Sequence, residues 1–291
     1  MASIDKNASR AADGQDSMIR LSAFADEISQ DPMEQIDVLT RHGIRHIEFR
    51  AIHGTNVLDL DDEQHDAYRG LLRARGFGLS ALGSPIGKIR ITESFDNHLL
   101  RFGRALDLAD FYETPRIRVF SFYIPPGDDP AVYREEVIAR MKELARRAES
   151  RGVTLLLENE KGIYGDTAQR VSDLLESVDS PVLAHAFDPA NYVEVGQDID
   201  QAWSLLHARV RHFHVKDYNA KTHRNVPAGA GDGQIPSLME RAVEGGYDGF
   251  VVLEPHLVVA ELSFGFTGPE RFADAAKALK NILDQLAIAY A

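Results

Sequence analysis

From Ile19 onward two patterns alternate along the chain: short apolar, often β-branched runs, and longer segments with apolar positions three or four residues apart. The short runs are Ile19–Ala25, Arg45–Arg50, Phe77–Leu82, Arg116–Phe122, Thr154–Glu158, Val182–Asp188, Val210–Val215 and Gly249–Glu254. Such runs read as buried parallel strands. The longer segments at Asp31–Arg41, Asp61–Arg75, Asp129–Ser150, Thr167–Val178, Asp198–Leu206 and Pro236–Glu244 read as helices with one apolar face. The spacings Leu99, Phe102, Leu106, Ala109 and Phe272, Ala275, Leu279, Ile282, Leu286 predict two more. Several segments open with Asp, Thr or Pro, which cap or start helices.

The turns RHGIRHIEF, ARGFGLSAL, SRGVTLLLE and EGGYDGFVVLE each place glycine just before a strand, where a helix ends in the left-handed conformation. Eight repeated strand–helix units predict a single α/β domain, a closed (β/α)8 TIM barrel over residues 18–291. Parallel strands need crossover helices, and eight strands close around a filled interior. An open doubly wound sheet is the alternative, but no G-x-G-x-x-G follows the first strand. Residues 1–17 are polar, lack the apolar stretch of a signal peptide and are expected to form a disordered tail, with Met18 an alternative start.

Composition narrows the function. With 291 residues, 44% hydrophobic and 26% charged, the chain has the make-up of a soluble globular protein. A net charge of -13 argues against a nucleic-acid partner, which would need clustered Lys and Arg. There are no cysteines, so thiolate metal sites and cysteine nucleophiles are excluded. No run of about 18 apolar residues offers a membrane span, and a cytoplasmic location is the simplest expectation.

In a (β/α)8 barrel the chemistry gathers at the C-terminal ends of the strands. Glu158, Asp188, His214 and Glu254 end the fifth to eighth predicted strands, so one rim receives three carboxylates and an imidazole. Alternation supports this: with Glu158 inward go Leu156 and Thr154, while Leu157, Phe187 and Phe213 face the helices. Three carboxylates without a counter-charge would repel one another and resist ionisation, and a divalent cation would relieve them. The donor set suits one metal ion, Mn²⁺ first, with Mg²⁺, Co²⁺ or Zn²⁺ also compatible.

The segments LLLENE at Leu155–Glu160, FDPAN at Phe187–Asn191, HFHVKD at His212–Asp217, PAGAGDG at Pro227–Gly233 and VVLEP at Val251–Pro255 resemble the xylose-isomerase-like TIM-barrel superfamily. They are most similar to its sugar phosphate isomerase/epimerase branch, which includes ketose 3-epimerases, hydroxypyruvate isomerase and inosose dehydratase. The resemblance implies that Glu158, Asp188, His214 and Glu254 bind a divalent metal and that Glu158 and Glu254 serve as acid–base residues. It implies an isomerase or epimerase acting on a sugar or keto-polyol through a metal-stabilised enediolate. A metal-dependent lyase or dehydratase, eliminating from a keto-sugar, keto-glycoside or inosose, is the close alternative. An endonuclease IV-like phosphodiesterase and a non-catalytic sugar-binding barrel are the outlying ones.

Where ketose epimerases carry a histidine three residues after the aspartate ligand, this chain has Asn191, which can bind a hydroxyl but cannot act as an acid or base. Arg224 lies farther from the histidine ligand than the epimerases' arginine. Asn191, Arg224, His256, Lys216, Glu160 and Lys88 form the expected substrate-binding set. Lys88 is a cation on the loop after the third strand, suited to a phosphate or carboxylate. His212, Glu48 and Arg50 should point inward, His212 packing behind the ligands. Asn159 follows a ligand directly and could orient it. The apolar Tyr123, Pro125 and Pro126 could cover the site or support a dimer or tetramer. The expected partner is a small sugar or cyclitol.

Overall fold

A computed structural model describes residues 18–258 and 266–291. The tail expected over residues 1–17 lies outside the described residues. Eight parallel strands close a barrel: β1 (Arg20–Ala23), β2 (His46–Phe49), β3 (Gly78–Leu82), β4 (Arg116–Val119), β5 (Thr154–Glu158), β6 (Leu183–Phe187), β7 (Val210–Val215) and β8 (Phe250–Leu253). Each pairs with its sequence neighbours, and β8 closes on β1 with Phe250 beside Arg20 and Leu253 beside Ala23. On β7 and β8 the register sets Val252 beside His214, which carries Glu254 just past that histidine.

Helices α1 (Pro32–Arg41), α2 (Asp62–Arg75), α3 (Phe95–Phe111), α4 (Arg134–Glu149), α5 (Ala168–Val178), α6 (Pro189–Glu194), α7 (Ile199–Leu206), α8 (Ile235–Glu244) and α9 (Pro269–Gln285) surround it. Asp31, Thr167 and Asp198 cap α1, α5 and α7, and Asp61 forms a reciprocal capping box with Gln64 on α2. Gly76 ends α2 at φ 69, a left-handed conformation that would strain a side chain with a Cβ. No helix among the described residues is long and apolar enough to cross a membrane.

Three segments depart from the sequence expectation. The fourth strand stops at Val119, because the next residues bond elsewhere: Phe120 N–H donates to Ile86 O, and Ser121 Oγ accepts from Gly165 N–H at 2.7 Å. Asp129–Ser150 divides into a 3-10 turn at Pro130–Tyr133 and α4, with Asp129 capping the turn. After β6 the chain enters the short helix α6 directly, with Asp188 as its cap and Pro189 at its first position. That Asp-Pro pair is a start signal legible in the sequence.

Apolar packing concentrates outside the sheet. The main core joins outward-facing residues such as Leu21, Ile47, Leu157, Phe187, Phe213 and Val251 to the helices. Inside the barrel two small apolar clusters occur among the described residues, Ala81, Leu156, Ala184, Ala186 and Phe24, Phe250, Val252. The rest of that space holds polar side chains, among them Ser22, Ser80, Glu48, Arg118, His212 and His214, all buried.

Candidate metal centre and active site

Glu158 and His214 sit near the C-terminal ends of β5 and β7, while Asp188 and Glu254 directly follow β6 and β8. One donor atom from each of these four lies within 4.8 Å of all the others, and all four residues are buried. Donors about 2.1 Å from an octahedral ion stand ~3.0 Å apart when adjacent and ~4.2 Å when opposite, so the spacing is that of a coordination sphere. His214 Nδ1 is 3.1 Å from Glu158 Oε1 and 3.6 Å from Glu254 Oε2. His214 Nδ1 and Glu254 Oε2 are buried without a hydrogen bond, and Asp188 Oδ2 meets only the Lys216 ammonium. Buried polar atoms are costly to leave in that state, and a shared cation would satisfy both open atoms. The residues therefore fit a divalent ion.

The expectation that these carboxylates converge without counter-charge is corrected by the structure. Arg118 Nη1 lies 3.2 Å from Glu158 Oε2, Arg50 Nη1 3.0 Å from Glu254 Oε1, and Lys216 Nζ 2.8 Å from Asp188 Oδ2. Each cation takes an acid from one side, so carboxylate repulsion by itself does not call for a metal. The open donor atoms carry that inference instead.

The environment sets the charges. Burial raises Asp188, and the neighbouring Glu158 and Glu254 add to it despite Lys216. Burial also opposes the Glu254 carboxylate, yet Lys216, His256 and His214 outweigh it and hold that group well below its ordinary value. For His214, burial disfavours the imidazolium, but Glu158 and Glu48 prevail and raise it well above its ordinary value. A metal arriving at Nδ1 must displace that proton, so binding should weaken as pH falls.

Residues behind the four hold them in place. Glu48 Oε2 receives His214 Nε2 at 3.1 Å and His212 Nε2 at 2.7 Å. This leaves Nδ1 of His214 to face the site, the arrangement by which carboxylates orient ligating histidines. His212 thus packs behind His214, as its position in the sequence suggested. Asn159 clasps Asp188: its Nδ2 donates to Asp188 O at 2.8 Å, and its Oδ1 accepts from Asp188 N–H at 3.0 Å.

A cavity of about 240 Å³ opens onto two of the four, Glu158 and Glu254. Of the six substrate-binding candidates, Asn191, His256, Lys216, Glu160 and Lys88 line it. Lys88 Nζ and Glu160 Oε2 pair at 2.9 Å across it, so the Lys88 charge is partly neutralised before any anion arrives. His256 Nε2 lies 3.1 Å from Glu27 Oε1; burial works against its imidazolium, but Glu27 prevails and raises it to about 9. Asn191 Nδ2 donates to Asn159 O at 2.8 Å. Tyr123 also reaches the cavity wall.

Arg224 is placed differently. It is exposed at one end of a two-stranded hairpin, opposite Asn219, and does not line the cavity. Its neighbour Asn225 does. Alternation along the hairpin decides this, because successive side chains leave a strand on opposite sides. The Gly-rich loop beyond it is organised by Asp217, whose carboxylate accepts from the N–H groups of Gly229, Gly231 and Gly233 at 2.8, 3.0 and 2.9 Å. A Cβ on Gly231 would overlap that carboxylate, so glycine is required by close approach. Lys216 pairs with Asp188 at 2.8 Å and not with its chain neighbour Asp217.

Sequence reasoning missed Arg118, Asp26, Glu27 and Asn225. Arg118 carried a signal: in RIRVF it alternates with Ile117 and Val119, and the same rule that turned Glu158 inward would have turned it inward. Asp26 and Glu27 directly follow the apolar run of β1, where Asp26 Oδ2 takes Arg50 Nε at 2.7 Å. Asn225 depended on a hairpin that no local pattern announced.

Comparison with known proteins agrees with this geometry. The family model for the xylose isomerase-like TIM barrel matches residues 36–282. A 3-dehydroshikimate dehydratase from Bacillus anthracis is 22% identical over 203 residues, covering 67% of this chain and 72% of that protein. Among solved structures, the IOLI protein with a bound zinc atom superposes with a TM-score of 0.72 at 14% identity, covering 92% of this chain and 98% of that one. A D-tagatose 3-epimerase-like protein gives 0.72 at 16% identity, with coverage of 92% and 98%. At such identities the structural likenesses establish the fold alone. With most of its length matched by the family model, the chain belongs to the xylose isomerase-like TIM-barrel family.

Proposed function

We propose that this chain is a divalent-metal-dependent isomerase or epimerase acting on a sugar or keto-polyol of about monosaccharide size. The observation that carries the reading is the convergence of four donor atoms within 4.8 Å, with Glu158 and Glu254 of that set lining a cavity of about 240 Å³. Glu158, Asp188, His214 and Glu254 would hold the ion. When bound, such an ion withdraws charge from a carbonyl oxygen and a neighbouring hydroxyl, acidifying the C–H between them.

The side chains supply the rest. Glu158 takes the proton on one face, and Glu254 delivers one from the other. Arg118, 3.2 Å from Glu158 Oε2, fixes the rotamer of the base. Lys88, Asn191, Asn225 and His256 offer polar groups to substrate hydroxyls around the cavity. Substituting Glu158→Gln should lower kcat/KM about 10³-fold, ~4 kcal/mol of transition-state stabilisation.

A second reading, β-elimination of water or another leaving group, is favoured by Lys216. Its ammonium stands 2.8 Å from Asp188 Oδ2 and 3.8 Å from Glu254 Oε2, where it could protonate a departing oxygen. Likeness to a dehydratase supports it too. NMR in D₂O with a panel of ketoses and keto-cyclitols on the Mn²⁺-loaded protein separates the two. Deuterium entering recovered sugar without loss of water supports isomerisation; release of water or an aglycone transfers the assignment to elimination. Absence of a Mn²⁺ site in calorimetric titration would defeat both.

A further inference from the structure

The opposite mouth of the barrel holds a larger cavity, about 970 Å³, that the proposed chemistry does not use. Arg20, Arg116, Arg209, Arg211 and Arg241 all line it. Arg20 and Arg116 start β1 and β4, and Arg211 is the second residue of β7, so these side chains gather at the N-terminal ends of the strands. In a chain of net charge -13 this is a local reversal of sign.

The arginines are also poorly neutralised. Arg241 pairs with Asp200 at 2.9 Å, yet its Nη2 is buried without a hydrogen bond. Among the described residues no carboxylate approaches Arg20, Arg116, Arg209 or Arg211 within 4.0 Å. Arg209 Nη2 donates to Leu183 O at 3.1 Å, and Arg211 Nη1 to Ala208 O at 3.0 Å, both backbone carbonyls. Arg20 and Arg116 both lie against the Phe250 ring, with Cζ 4.2 Å and 5.3 Å from its centroid. Asp179 and Asp248 also line the cavity and temper its charge without pairing with these arginines. Burial, with Arg20 beside it, lowers Arg116.

Thr154, Ala184 and Gly249 are among the small residues near the strand starts that line the cavity. A guanidinium left partly buried without a counter-ion is costly, and it matches phosphate and carboxylate oxygens with paired donors. We propose that this mouth is a binding site for a small polyanion, a phosphate ester or a polycarboxylate, held between Arg20 and Arg116 with Arg209 and Arg211 at the rim. The site lies across the barrel from the metal centre, and its occupancy does not depend on which reaction occurs there.

Isothermal titration of metal-free protein with inorganic pyrophosphate and, separately, with citrate tests the proposal. One equivalent of at least one anion should bind; pyrophosphate alone identifies the phosphate source and citrate alone the carboxylate source. The double variant Arg20→Gln/Arg116→Gln should weaken binding at least tenfold. The pair Arg209→Gln/Arg211→Gln, at the rim, should weaken it less and guards against a failure of the first variant to fold, which circular dichroism would reveal. Lys88→Gln, at the other mouth, should leave it unchanged. No heat with either anion, or binding that follows Lys88 and ignores the arginine variants, overturns the proposal.

Discussion

On β7, Phe213 turns outward against Phe187, Trp203 and Tyr247, with ring centroids 5.9, 5.8 and 5.1 Å away, while His212 and His214 turn inward onto Glu48. Residues one position apart thus occupy two regions with different rules. The layer between sheet and helices is apolar and is held by burial. The space inside the sheet is a charged network whose members neutralise one another in an enclosed, weakly polarisable surrounding. Outside, the strands supply stability; inside, they supply groups whose removal changes chemistry and charge more than packing.

Four substitutions or conditions would sharpen or break that contrast. The largest effect is expected in the outer layer: Phe187→Ala, deleting a fully buried ring packed against Tyr192 at 5.1 Å, should cost about 3–5 kcal/mol of stability. Urea denaturation measures it, and Mn²⁺ affinity of the folded variant should be unchanged. A comparable loss of metal affinity would mean that the two regions are not separable.

Next is Glu48→Gln, inside the barrel, which removes the carboxylate behind His214. Metal affinity should fall 10–100-fold, ~1.4–2.7 kcal/mol, in calorimetric titration. An unchanged affinity would remove Glu48 from any part in the proposed metal site.

A pH dependence of stability contributed by the outer layer comes third. Burial lowers His98 and His185 to about 4 each, from an ordinary 6.5. The folded protein therefore binds their protons less readily than the unfolded chain does. Their contribution is full above about pH 6.5 and is lost as pH falls through about 4. His98 Nε2 accepts from Gly87 N–H at 2.8 Å, a bond that a Gln side-chain oxygen can replace. Melting curves at pH 7.5 and 5 should show a smaller acid loss for His98→Gln than for the parent.

The smallest effect is a control on the solvent-facing side. Arg101 pairs with Asp59 at 2.7 Å, but both side chains are nearly half exposed. Arg101→Ala should leave stability within ~0.5 kcal/mol of the parent by the same urea assay.

Much of this was legible in the sequence. Every barrel strand lies within its predicted run, and the four residues at the ends of β5 to β8 come together as alternation and order implied. Helix caps such as Asp31 and Asp61 were readable because their bonds close within a few residues. The hairpin carrying Arg224 and Asn225 was not, since its pairing depends on a long loop held by Asp217 through three glycine N–H groups.

Local patterning determined which residues are strand and helix and which side of each strand they leave from, because period-2 and period-3.6 spacings act over a single turn or pleat. Tertiary structure alone decided which charges meet. Arg50 reaches Glu254 across 204 positions of sequence, and Glu48 reaches His214 across 166. Only closure of the barrel brings such partners within reach, and ion pairing is sensitive to distances of a few ångströms that no spacing in the sequence encodes.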